Sequence, residues 1–332
     1  MRCHAVSMQT LKLRTGDAFP AMGLGTWKIA KDMTAETVYR AIGHGYRHLD
    51  CACDYGNEVE VGQGIARALA EGLVTRDELW ITSKLWNTYH RPEHVEPAIR
   101  RSMSDLGVDY LDLYLIHFPI SLEYVPFEDR YPPEWLVDSD AEDARMEFDP
   151  VPIAETWAAM EPLVDAGLAR NLGVCNMTTG FVMDLLASAR IKPAVLQVEM
   201  HPYLTQERLV RFATQNDIAM TAFSPLGAGS YVPMGMAEES QSALADPAVL
   251  DIAGRMGATP AQVLLGWGMQ RGTSVIVKSS SDAHLRENLG AAELVLSEPD
   301  MATVSELNRN LRFNDPGQFC EAEFDTFCPI FD

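Results

Sequence analysis

Short apolar runs bounded by Gly, Pro, Asn or Asp recur at residues 22–25, 46–49, 79–83, 111–116, 169–174, 195–198, 219–223 and 274–277, and each predicts a strand. Between them the apolar positions change to a helical period over 35–43, 59–70, 92–106, 153–166, 181–189, 207–216 and 261–271. Alternating strands and helices predict a parallel sheet. Ahead of this series, Leu11-Lys12-Leu13-Arg14 alternates around the turn Thr15-Gly16-Asp17, which predicts an N-terminal β-hairpin within residues 10–20. Eight strand and helix units in a chain of 332 residues fit an α/β fold of the (β/α)₈ TIM-barrel type, one domain over 1–332, better than an open doubly wound sheet. No Gly-x-Gly-x-x-Gly turn follows any strand. Gly62-Gln63-Gly64 lies inside a helical stretch and reads as packing or local flexibility, not as a phosphate loop.

Two connections are too long for simple turns. Residues 118–152 carry several prolines, Trp135 and an acidic run over 138–143, and residues 224–247 are rich in Gly, Met and Ser. Both leave C-terminal strand ends, so they are expected as long loops over the active-site face of the barrel. The tail over 311–332 shows no helical pattern and many aromatics, and is expected to fold back across the same face.

Composition narrows the partners. With 26 basic and 47 acidic residues the formal charge is -21, which opposes binding to nucleic acid or anionic membranes. No apolar run approaches the roughly 18 residues of a membrane span, and the N-terminus lacks a signal-peptide core, so a cytoplasmic protein is expected. Cys3, Cys51, Cys53, Cys175, Cys320 and Cys328 show no metal-ligand spacing and read as reduced thiols, with no metal site. Cys51 and Cys53 lie between Asp50 and Tyr55, two candidate catalytic residues, which makes oxidant sensitivity a minor alternative.

Polar residues interrupt the apolar strands at their C-terminal ends: Asp50, Lys84, His117, Asn176, Gln197, Glu199, Ser224 and Lys278. They converge on one barrel mouth. Tyr55 follows Asp50 in a loop, and a phenol titrates near pH ~10 unaided. Lys84, held by Asp50, would bring it towards neutrality and suit it as a general acid, with His117 donating to the same carbonyl oxygen. With no covalent nucleophile in evidence, a nicotinamide is the natural hydride source.

Asp50, Tyr55 in Asp54-Tyr55-Gly56-Asn57-Glu58, Lys84 in Thr82-Ser83-Lys84-Leu85-Trp86 and His117 in Leu115-Ile116-His117-Phe118-Pro119 together resemble the catalytic four of the aldo-keto reductases, in order. The resemblance covers nearly the whole chain. Ile116-His117-Phe118-Pro119-Ile120, Tyr131-Pro132-Pro133, Lys192 to Gln197, His201-Pro202-Tyr203-Leu204, Leu311 to Pro316 and Pro329-Ile330-Phe331 are most similar to the xylose reductases within that family. The resemblance implies NADPH-dependent reduction of an aldehyde or aldose, with small-molecule substrates and a monomer or homodimer. It implies an aromatic wall of Trp27, Trp86 and Phe118, with Asp54 and Asn314 meeting sugar hydroxyls and His117 also touching substrate.

For the cofactor the resemblance implies Gly25, Thr26, Trp27 and Asp50 along one side and Asn176 and Gln197 on the carboxamide, with Cys175 where serine is usual. Phe223 stands where tyrosine is usual; Ser224 and Leu226 line the pyrophosphate, and Glu287 and Asn288 lie near the adenine. Lys278, Ser279 and Ser280 are present at the 2'-phosphate end, but His284 replaces the usual arginine, with Arg286 two residues on. Neutral histidine cannot make the bidentate phosphate clamp, so NADPH use with a weakened preference and real activity with NADH are expected. A catalytically silent nicotinamide-binding regulatory subunit is the alternative. A barrel isomerase or aldolase would leave Tyr55, Asn176 and Gln197 without roles.

Overall fold

The computed structural model describes residues 9–141 and 144–331; Cys3 and the end of the acidic run lie outside them. The hairpin forms as β1 (Thr10–Lys12) and β2 (Ala18–Pro20), paired antiparallel. Eight parallel strands then close a barrel: β3 (Met22–Gly25), β4 (His48–Asp50), β5 (Trp80–Leu85), β6 (Leu111–Ile116), β7 (Ala169–Cys175), β8 (Val195–Glu199), β9 (Ala219–Phe223) and β10 (Ser274–Val277), with β10 against β3. Closure leaves no edge strand in the barrel.

The helices between strands are α1 (Lys31–His44), α2 (Glu58–Ala70), α3 (Pro92–Leu106), α4 (Ile153–Asp165), α5 (Thr179–Ser188) and α6 (Glu207–Gln215), then α7 (Pro247–Met256) and α8 (Pro260–Gln270) together before β10. In α1 the buried positions Thr34, Thr37, Val38, Ala41 and Ile42 follow the helical period, and Gly45 ends the helix at φ 118°. Of the two readings for Gly62 and Gly64, packing stands: a Cβ at Gly62 would lie 2.6 Å from the Asp105 carbonyl oxygen of α3, and one at Gly64 2.6 Å from that of Ala35 in α1. Three helices therefore approach more closely there than a side chain allows.

After β10 come α9 (Asp282–Leu289), α10 (Glu298–Ser305) and α11 (Pro316–Phe324). The last corrects the expectation of a tail without helix. Asp315 caps α11 by accepting from Gly317 N at 2.9 Å, and Pro316 occupies its first turn. Nine residues give too few turns for a legible period, so the cap and the surface it packs on decide the helix.

Each barrel strand is buried on both faces. Tyr46, Leu49, Ile81, Leu85, Tyr114 and Ile116 pack outward in the core shared with the helices. The inward stripe is apolar at one end, where Leu13 and Phe19 of the hairpin segment join Trp80, Leu113 and Val195. At the other end it is polar.

Candidate active site

Period-two geometry points Thr82 and Lys84 of β5 to the same side, and parallel register sets Asp50 opposite Thr82. Lys84 Nζ donates to Asp50 Oδ1 at 2.7 Å, to the Cys51 carbonyl at 2.9 Å and to Tyr55 Oη at 3.1 Å. Asp50 Oδ2 accepts from Gln197 Nε2 at 2.7 Å, which joins β8 to the same network across 147 positions of sequence. Tyr55 sits on a single 3₁₀ turn, Cys53–Tyr55, and Gly56 at φ 67° sends the chain into α2.

Burial pulls the Lys84 ammonium down, but Asp50 and then Tyr55 outweigh it and hold the pKa above the ordinary lysine value. The expectation for Tyr55 is corrected in sign. Burial raises its phenol above 10, and Lys84, although it pulls the other way, does not overcome that. The His117 imidazole is held well below its ordinary value, first by burial and then by Lys84, so it is neutral. Its ring lies edge-on to Tyr55 at 5.8 Å and to Trp86 at 5.1 Å.

A cavity of about 460 Å³ opens above these groups. Gly25, Trp27, Asp50, Asp54, Tyr55, Trp86, His117 and Phe118 line one side of it. Cys175, Asn176, Gln197, Phe223, Ser224, Leu226, Lys278 and Asn314 line the rest. Asn176 and Ser224 hold φ of 57° and 48° just beyond their strands, a left-handed conformation that asparagine tolerates and serine rarely adopts. Asn176 Nδ2 donates to the His117 carbonyl at 2.9 Å. Burial, opposed by Lys84, pushes the Cys175 thiol up to about 12.

A second cavity of about 280 Å³ shares Leu226, Leu244 and Lys278 with the first and continues to Ser279, His284, Glu287 and Asn288. Most of the residues predicted to hold a dinucleotide therefore line two adjoining cavities. Two of them lie elsewhere: neither Thr26 nor Ser280 lines either cavity. Thr26 is fully buried and its hydroxyl donates to the Asp50 carbonyl at 3.0 Å. Arg286 is paired with Asp282 at 2.8 Å and lines neither cavity.

Sequence reasoning missed part of the wall. Trp135, from the long connection after β6, stands 4.9 Å from Trp86 and 5.2 Å from Phe118, and Phe319, Glu323 and Phe324 reach the cavity from α11. Tyr231 packs beside Trp27 at 5.9 Å and bonds Ser224 Oγ at 2.8 Å. The concentration of aromatics in both segments was the available signal. Asp54 is pushed up to about 7, by burial first and then by the Glu134 charge. Cys51 and Cys53 are buried and their thiols are raised well above 9, chiefly by burial, which removes the thiolate that oxidation requires. Among the described residues no helix is long and apolar enough to cross a membrane.

The same arrangement has relatives. The chain is 48% identical over 335 residues to a probable NAD(P)H-dependent D-xylose reductase of Aspergillus clavatus, covering 98% of this chain and all of that one. It is 48% identical over 324 residues to the NAD(P)H-dependent D-xylose reductase of Aspergillus niger, covering 97% and 99%. The solved aldose reductase of Schistosoma japonicum superposes with a TM-score of 0.85 at 35% identity, over 96% of this chain and 99% of that one. The sequence profile described as Aldo/keto reductase family matches residues 21–309, and the chain belongs to that family.

Proposed function

We propose that the protein is an NAD(P)H-dependent reductase that converts an aldehyde or aldose to its alcohol or alditol. One observation carries this reading: Tyr55 Oη lies 3.1 Å from a lysine that Asp50 holds at 2.7 Å, on a cavity wall shared with His117. A reduced nicotinamide, when bound, supplies the hydride. The groove fits such a cofactor through the amides of Asn176 and Gln197, the ring face of Phe223 and the cationic end at Lys278.

The chain's own residues handle the proton. Tyr55 is protonated at neutral pH, as any phenol is, and burial raises its pKa further, so the acid is loaded. As the carbonyl oxygen gains negative charge it becomes a far stronger base than a phenolate, and the Tyr55 proton moves to it. The Lys84 ammonium stabilises the phenolate left behind, and Asp50 keeps that ammonium charged and aimed. Neutral His117 can donate one hydrogen bond to the same oxygen. Trp86, Phe118 and Trp135 form an apolar wall, which discriminates weakly among small aldehydes. Asp54 and Asn314 supply the polar contacts for substrate hydroxyls.

His284 at the far end of the groove favours use of both NADPH and NADH, since it replaces the arginine clamp and Arg286 does not line that cavity. Loss of nicotinamide absorbance on adding xylose, glyceraldehyde or a lipid aldehyde tests the activity and ranks the substrates. No oxidation of NADPH or NADH with any of them would leave the silent regulatory subunit as the better reading. An NADPH over NADH ratio of catalytic efficiencies in the thousands would refute dual cofactor use.

A further inference from the structure

Glu199 ends β8 two residues beyond Gln197 and is fully buried, yet it does not line the cavity. Its carboxylate faces the tail. Oε1 accepts from Phe313 N at 2.9 Å and from His201 Nε2 at 2.9 Å, while Oε2 accepts from Asn314 N at 2.7 Å. Among the described residues His201 is the one basic side chain within 4.0 Å of it, and the Glu199 charge also opposes the lowering by burial of the Arg312 guanidinium. A carboxylate buried this deeply is costly even with basic neighbours, and a neutral apolar residue would fill the space more cheaply. Two oxygens receiving two successive backbone amides do what no apolar side chain can: they fix the orientation of the peptide between Phe313 and Asn314.

That peptide leads directly into the substrate end of the cavity. Asn314 lines it, and its Oδ1 is buried without a hydrogen-bond partner in the protein. Phe313 is wedged between the rings of His201 at 5.2 Å and Tyr231 at 5.7 Å. Asp315 then caps α11, which carries Phe319 and Phe324 to Trp135. An amide aimed from the tail can recognise a hydroxyl only if its backbone is held.

We propose that Glu199 is a specificity-determining positioning residue: by clamping the Phe313 and Asn314 amides it aims Asn314 at a substrate hydroxyl and so favours hydroxylated aldehydes over plain ones. This role rests on the protein being a reductase of that kind. Asn314 presents an acceptor and a donor, the pair an α-hydroxy aldehyde satisfies and an unsubstituted aldehyde does not. Losing one such aimed contact lowers affinity for the hydroxylated substrate alone.

The test compares xylose with propanal in wild type, Glu199→Gln, Asn314→Ala and the double variant. Glu199→Gln removes one of the paired acceptor oxygens, so KM for xylose should rise roughly tenfold while kcat and the KM for propanal stay within about twofold. The double variant should be no worse on xylose than Asn314→Ala, because the two residues act through one contact. An unchanged xylose KM, an equal rise for both substrates, or additive losses would overturn the inference. Hydrogen exchange needs no turnover: the Phe313 and Asn314 amides should exchange at least about tenfold faster in Glu199→Gln. Unchanged exchange would also overturn it, whereas wild type inert towards both aldehydes would overturn the reductase reading. If Glu199→Gln does not fold, Glu199→Asp, which keeps the charge but retracts the oxygens, carries the same predictions.

Discussion

The two ends of the barrel are built from the same strands and the same inward-facing stripe, yet the hairpin segment seals one and a cavity opens over the other. At the hairpin end Phe19 is fully buried against Trp80 at 5.0 Å and His48 at 5.2 Å, and Asn171 is satisfied by Thr15 at 2.7 Å and Asp17 at 2.8 Å. At the mouth, a few residues further along each strand, Lys84, Asp50, Gln197 and His117 are buried, and Asn176 and Ser224 hold left-handed backbone. One end is packed for stability. Both ends bury polar atoms without partners, His48 Nδ1 and Trp80 Nε1 beneath the hairpin segment and His117 Nδ1 and Asn314 Oδ1 at the mouth, but only the residues at the mouth line the cavity. The difference teaches that buried polar groups become available for chemistry where the barrel leaves a cavity over them, while those sealed beneath the hairpin segment serve packing alone.

The sharpest way to break this division is Tyr55→Phe. Turnover should fall by about 10²- to 10⁴-fold while the melting temperature and cofactor affinity stay near wild type. Steady-state rates beside calorimetry check it, and intact turnover would remove Tyr55 as the acid. The mirror-image variant is Phe19→Ala. It should lose about 3–5 kcal/mol of stability in denaturant titrations, with the specific activity of the folded fraction unchanged. If activity per folded molecule fell as well, the two ends would not be independent.

A subtler contrast lies in pH. Burial first, and for Asp54 then Glu134, pushes Asp54 and Glu58 each up to about 7, from ordinary values near 4. Below about pH 4 both are protonated folded or unfolded. Between about 4 and 7 the unfolded chain releases these protons while the folded one retains them, so stability falls as pH rises through that window and then levels. Melting temperatures from pH 4 to 8 should show this slope flattened in Glu58→Gln, whereas Phe19→Ala should lower the whole curve without reshaping it. A slope unchanged in Glu58→Gln would sink the assignment for that residue.

The smallest effect belongs to His284→Arg. A charge-assisted pair with the 2'-phosphate should tighten NADPH binding about tenfold and leave NADH binding unaffected, as read by equilibrium fluorescence. Equal tightening of both cofactors would place His284 away from that phosphate.

The eight strands were legible because a parallel barrel strand, buried on both faces, appears in sequence as an uninterrupted apolar run that ends where the polar residue turns inward. That interruption singled out Asp50, Lys84, His117, Asn176 and Gln197 together with Glu199, Ser224 and Lys278, while the roles of Asn176 and Gln197 came from the family resemblance. Helix α11 was not, since a nine-residue helix held by a cap and by the surface beneath it carries too little period. Trp135 and Tyr231 were not assigned to the site, because a loop has no register to say where its side chains land.

Sequence by itself therefore determined the order of the strands and which residue types stand at their ends. Tertiary structure alone decided the sign of the Tyr55 shift, the link from Asp50 to Gln197 and the hold of Glu199 on the tail. The physical reason is range: periodicity is a property of neighbours along the chain, while a pKa or a buried hydrogen bond depends on what distant segments bring within a few ångströms and on how much water they exclude.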